Sequence, residues 1–112
     1  MSEVKPVVFI GSSLEDLRAF PVDARREAGY QIDRVQRGSA PESWKPVPTI
    51  GVGVKEIRIR DVSGQFRVIY IAKFAEAVYI LHSFHKKAQK ISRKDLELAI
   101  SRYRELLQER KQ

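Results

Sequence analysis

Residues 54–83 read VKEIRIRDVSGQFRVIYIAKFAEAVYILHS, and the reading of this stretch decides the fold. Apolar and polar side chains alternate through three β-branched and aromatic runs, 54–60, 65–72 and 77–83, which is the pattern of strands. Asp61-Val-Ser-Gly64 supplies turn chemistry for the first connection and Lys73 to Glu76 for the second. Links this short join antiparallel neighbours, so the three runs form a meander. With Val62 and Ser63 at the tip of the first turn, Arg58 lies opposite Arg67; with Phe74 and Ala75 at the tip of the second, Arg67 lies opposite His82. Directly opposed side chains share a face, their Cβ atoms about 5 Å apart. The expectation is a polar row of Arg58, Arg67 and His82 with Arg60 and Gln65 beside it. The other face then carries Ile57, Ile59, Phe66, Val68, Tyr70, Tyr79 and Leu81 as core. Regular alternation argues against a bulge that would turn one strand over.

Outward from the meander, Lys5 to Gly11 is a short apolar run closed by glycine, expected to be a strand added at an edge of the sheet. Ser13-Leu-Glu-Asp16 has the cap residue and the acid three positions on that open a helix, here a short one over 13–19. Pro21 opens a second helix, in which Ala24, Ala28, Ile32 and Val35 recur at helical spacing up to Gly38. Residues 38–53 hold three prolines and three glycines, which reads as a loop, with Trp44 anchoring it on the core. Beyond the meander, Ser92 caps a last helix with Asp95 three residues on and a stripe of Leu96, Ala99, Ile100, Tyr103, Leu106 and Leu107. The class is α+β, a single domain over residues 1–112.

Composition narrows the function. At 43% apolar and 31% charged, the 112-residue chain is too apolar and too well patterned for disorder. No apolar run approaches the roughly 20 residues of a membrane span, and Met1-Ser-Glu-Val leads into no export signal, so an unexported protein without a membrane partner is expected. The chain has no cysteine, which excludes disulfides and thiolate chemistry and fits a reducing cytoplasm. The net charge of +7 is unevenly spread: residues 1–52 hold seven bases and seven acids, whereas residues 85–112 hold nine bases and four acids. Clustered cations focus potential and release counterions when phosphates bind, which points to a polyanionic partner.

The last strand leads into Phe84-His-Lys-Lys-Ala-Gln-Lys90, which brings His85, Lys86, Lys87 and Lys90 toward the same edge, beside Phe84, a ring able to stack on a base if exposed. There is no acidic cluster for Mg²⁺, no glycine-rich phosphate loop after a strand and no Ser, His, Asp set of convincing spacing, so no cofactor or metal is implied. Metal-free RNA cleavage fits what is present, because the 2′-hydroxyl is an internal nucleophile that needs only positioning, proton transfer and stabilisation of charge on phosphorus. Arg67 is the candidate for phosphate stabilisation, and His82, His85, Lys86 or Lys87 for proton transfer. Arg58, Arg60, Phe84 and Lys90 are the candidates for holding RNA.

The strings Val54-Lys-Glu-Ile-Arg-Ile-Arg60, Gly64-Gln-Phe-Arg67-Val-Ile-Tyr70 and Val78-Tyr-Ile-Leu-His-Ser-Phe-His-Lys-Lys87, with Gln89-Lys90 before a Ser-capped helix, together resemble the phage-derived, HigB-like branch of the RelE/ParE toxin superfamily over about residues 47 to 107. The resemblance implies a toxin of a type II toxin–antitoxin module: a small basic mRNA endoribonuclease, usually ribosome-dependent, blocked by a cognate antitoxin in a hetero-oligomer. It implies that Arg67 corresponds to the family's strand arginine, that Lys86 and Lys87 occupy its basic segment after the last strand, and that Lys55 resembles the basic positions found on or before the first meander strand. Some RelE-like toxins carry a catalytic tyrosine near the C-terminus. After His85 this chain has only Tyr103, part of the helical apolar stripe, which leaves His or Lys for proton transfer. The same superfamily includes ParE-like proteins that inhibit DNA gyrase by binding, and a degenerate or antitoxin-only binding module is a third reading. The short helix over 13–19 and the His and Lys cluster favour the nuclease.

Overall fold

The computed structural model describes residues 4–112. In chain order the elements are β1 (Val7–Phe9), α1 (Ser13–Arg18), α2 (Val22–Gln36), β2 (Trp44–Pro46), β3 (Val54–Asp61), β4 (Gly64–Ile71), β5 (Val78–Lys86) and α3 (Arg93–Lys111). The architecture is α+β, as the patterning predicts. One sheet has the order β1-β5-β4-β3-β2, antiparallel except for β1, which runs parallel to β5 at the edge where it was expected.

The first hairpin closes as its turn dictates, in unbroken register from Val54 opposite Ile71 to Asp61 opposite Gly64, so Arg58 faces Arg67. The second hairpin departs from expectation. It closes with Tyr79 opposite Ile71, one residue out of the expected register. That offset turns Tyr79 and Leu81 to the other face, where they pack toward α3. A bulge then adds another residue: Ile80 pairs with Tyr70 and His82 with Ile69, leaving Leu81 as the extra residue of β5. His82 is thereby returned to the side of Arg67 but not to its row, and Phe84 is the residue opposite Arg67.

Both faces of the sheet are packed, for different reasons. On one, α1 and α2 lay Leu17, Phe20, Ala24, Ala28, Ile32 and Val35 on Ile57, Ile59, Phe66, Val68, Tyr70, Val78 and Ile80. The stripe of α2 is the one its spacing predicts, and the interior Gly29 does not interrupt it. On the other face, α3 brings Ala99, Tyr103 and Leu106 onto Ile69, Ile71, Leu81 and Phe84. The packing of α3 is against β5, so the end of this face formed by Arg58, Arg60 and Gln65 stays open, and these three side chains are exposed.

Three local readings are corrected. The N-cap of α1 is Ser12, not Ser13; Ser13 lies inside the helix, buried, and its Oγ donates to the carbonyl of Ile80 at 3.1 Å. Pro21 is the N-cap of α2 and precedes its first turn. Within 38–53, residues 44–46 are a strand paired with the outer edge of β3, with Trp44 opposite Ile57. Because that segment extends the sheet instead of folding over the core, Trp44 is 38% exposed, with Lys55 Nζ 4.6 Å from its ring centre. Among the described residues no helix is long and apolar enough to cross a membrane.

Candidate functional site

Arg67 lies on β4 between two strands whose side chains it shares a face with, Arg58 on β3 and Phe84 on β5. The residue is 2% exposed, a burial that no unpaired cation sustains. Nη2 donates to Gln65 Oε1 at 2.7 Å and Nη1 to the carbonyl of Phe66 at 3.0 Å. Nε lies 3.3 Å from Glu56 Oε1, whose residue is 3% exposed. The pair attracts by charge, yet neither of those two atoms makes an aligned hydrogen bond. Burial pushes the Arg67 pKa down and Arg58 adds to the effect, while Glu56 opposes both.

Around this pair other cations gather. Lys45, opposite Glu56 in the β2–β3 register, has Nζ 3.9 Å from Glu56 Oε1. Lys86 is opposite Gln65 at the end of β5. Its ammonium is held below the usual lysine range, first by burial and then by Arg67, Lys45 and Arg58, against the pull of Glu56. Arg60 completes the row as the partner of Gln65. One half-buried lysine, two exposed arginines and one buried arginine thus gather at this end of the face, with Lys45 at the rim; Glu56 lies within ion-pair distance of Arg67 and Lys45, and Asp23, Glu27 and Asp61 line the neighbouring groove along Arg58 and Arg60. Two grooves meet at the end of β5 and have Lys86 and Lys87 in common: one is bounded by Arg58, Arg60 and Arg67, the other, a cleft of about 840 Å³, by α1, Ser83 and Lys90.

The remaining candidates divide. His82 is 4% exposed and sits apart from Arg67, its ring stacked on Phe84 with centroids 5.1 Å apart. Its Nε2 is 2.7 Å from Asp95 Oδ1, and Arg102 Nη1 is 3.3 Å from Nδ1. Arginine only donates, so Nδ1 is the acceptor and Nε2 carries the proton given to Asp95. Both nitrogens are therefore occupied by the scaffold. Asp95 is the acid expected beside the Ser92 cap of α3, and its backbone N–H donates to Ser92 Oγ at 3.1 Å. Phe84 is buried at 7% exposure and offers no free face to a base. His85 is exposed but points to the α1–α2 side, stacked on Phe66, because β5 alternates. Lys55, opposite Tyr70, also belongs to that side and is drawn to Trp44, away from Arg67. Lys87 and Lys90 are exposed at the rim.

Glu56 and Lys45 are not among the candidates read from the sequence; Lys45 lies in a proline- and glycine-rich segment that hides its strand pairing. The signal for Glu56 was available in the first turn, which puts it opposite Ile69, diagonal to Arg67. Among the described residues no group of three His, Cys, Asp or Glu side chains converges as a metal site does.

The family described as Phage derived protein Gp49-like (DUF891) matches residues 15–104 of the chain. No curated protein matches it.

Proposed function

The chain belongs to the phage-derived Gp49-like family, a RelE/HigB-like group associated with toxin–antitoxin modules, and from that premise we infer that it is the toxin, acting as a metal-independent mRNA endoribonuclease. The observation that carries this reading is the convergence of Lys45, Arg58, Arg60, Arg67 and Lys86 on the part of the sheet that α3 leaves open. Arginines placed directly opposite, with further cations beside them, destabilise the sheet unless an anion joins them. A phosphodiester supplies that anion. In the reaction the 2′-oxygen forms a bond to phosphorus while the bond to the 5′-oxygen breaks, leaving a cyclic phosphate and a 5′-hydroxyl. Arg58 and Arg60, both exposed, stabilise the extra charge on the phosphoryl oxygens, and Arg67 adds its charge from beneath them. Lys86, with its proton held more loosely than in free lysine, gives that proton to the leaving 5′-oxygen, and the proton of the 2′-hydroxyl passes to water. His82 supports the scaffold and Glu56 orients Arg67.

The substrate is mRNA, engaged on the ribosome, and the setting is therefore the cytoplasm. The counterpart is a cognate antitoxin whose acidic segment covers the cationic groove in a toxin–antitoxin hetero-oligomer. Induced expression in a bacterium followed by mapping of mRNA ends tests the reading. New 5′-hydroxyl ends that vanish with Lys86→Ala and Arg58→Ala are expected. Growth arrest with intact mRNA and damaged DNA would overturn the nuclease in favour of gyrase inhibition, and absence of any toxicity would overturn both.

A further inference from the structure

We propose that the outer face of the His85 imidazole is a stacking platform for one unpaired nucleobase, held in the cleft between α1 and the end of β5. The ligand class, single-stranded RNA, rests on the reading above; the site and the role of His85 do not follow from it. Three rings form a ladder here. Phe20 and Phe66 lie with centroids 4.8 Å apart and tilted by 46°, and Phe66 and His85 lie 4.5 Å apart and nearly parallel, at 19°. Phe20 and Phe66 are buried, whereas His85 is exposed, so the ladder ends at the solvent in a flat ring. Two neighbours restrain that ring: a Cβ on Gly64 would lie 2.5 Å from His85 Nε2, so the β3–β4 turn abuts its edge, and Phe66 packs on its inner face. A ring fixed in this way has lost its rotamer entropy before any ligand arrives.

The surroundings point to a nucleotide. Ser83, two residues back on the same side of β5, is 1% exposed, lines this cleft, and its Oγ finds no hydrogen-bond partner. A base edge supplies the missing partner. Lys86 and Lys87 border both this cleft and the cationic groove, so a base on His85 leaves its own phosphate beside the cations assigned to the scissile group. Aromatic or imidazole stacking next to a cationic track is how unpaired bases are held without sequence readout.

The test uses a short 2′-O-methyl RNA, which cannot be cleaved, carrying 2-aminopurine, whose fluorescence falls on stacking. The intact protein should bind and quench it. His85→Ala should weaken binding roughly tenfold or more and abolish the quench, while His85→Phe, which keeps the stack and removes both ring nitrogens, should restore both. Thermal melting of each variant controls for folding. Loss in His85→Phe equal to that in His85→Ala would overturn the platform, because the ring nitrogens and not the stack would then carry the binding. Full binding and quenching by His85→Ala, with binding still weakened by Lys87→Ala, would sink the platform alone. No binding by the intact protein would overturn the platform and the RNA reading together.

Discussion

Removing Arg67 from this protein does two things that must be separated. Glu56 is 3% exposed, and taking away one partner of a buried pair strands the other charge, at a cost of about 3–5 kcal/mol. Arg67→Ala is therefore expected to lose activity and also to lower stability by about that much. Arg67→Ala combined with Glu56→Gln should recover most of the stability and none of the cleavage. Urea denaturation of the two single variants and the double variant checks this, and additive losses would show that the pair is not coupled. Lys86 yields a pH prediction. Its charged form is disfavoured by burial and by neighbouring cations, so it surrenders its proton at lower pH than a free lysine does. If cleavage needs the protonated form, activity falls with rising pH before the usual lysine range is reached. Lys86→Arg, which stays charged but gives up no proton, should keep RNA affinity and lose cleavage; a pH–rate profile of the unmutated protein beside a binding titration of the variant reads both. At this scale the sequence was partly legible. Arg58 opposite Arg67 followed from one tight turn, whereas the enclosure of His82 between Asp95 and Arg102 joins residues 13 and 20 positions away, and no local pattern announces it.

Elements account for where the expectation of a single row failed. The first hairpin has a turn whose residue types determine its length, and every pair in it follows. The second has Ala72 to Ala77 between its strands, without a glycine, proline or asparagine to choose among closures, so its register is decided by what packs on either side. Leu81 and Tyr79 are drawn under α3 and Ile80 under α1 and α2, and a bulge is the device that satisfies both. Gly64 carries the corresponding prediction for the first hairpin. Its φ of +137° suits glycine, and an added Cβ would meet His85. Gly64→Ala is expected to cost more than about 1 kcal/mol and to move the ring of His85, visible as a lowered melting temperature together with displaced imidazole NMR signals. An unchanged imidazole would show that the turn does not hold the ring. The helices were read with little loss, since an apolar stripe at 3.6-residue spacing states both the helix and its buried face. The exception, the cap of α1, fell one residue off because Ser13 is needed inside, on the carbonyl of Ile80.

Across the whole molecule, charge is segregated by the sheet. The end of β5 collects Lys86, Lys87 and Lys90, while at the other end Arg110 is spent on Glu76 and on the ring of Phe74. RNA affinity should therefore weaken steeply with salt, and Lys87→Ala should reduce the slope of log affinity against log salt by about 1, with Arg110→Ala leaving it unchanged. Titrations at several salt concentrations distinguish the two, and equal slopes for all three proteins would mean that the cations at the end of β5 do not meet phosphate. Arg102 ties the halves of the structure together, donating to the carbonyl of Leu81 and to Ser12 Oγ at 3.0 and 2.8 Å. Strand and helix identity, the antiparallel meander, its first register and the excess of positive charge could all be read from the chain, because each depends on neighbours a few residues apart. The second register, the covering of half a sheet face by α3 and the outward turn of His85 emerged only in three dimensions. They are settled by competition between two apolar cores for one strand, a contest of contacts between segments far apart in the chain.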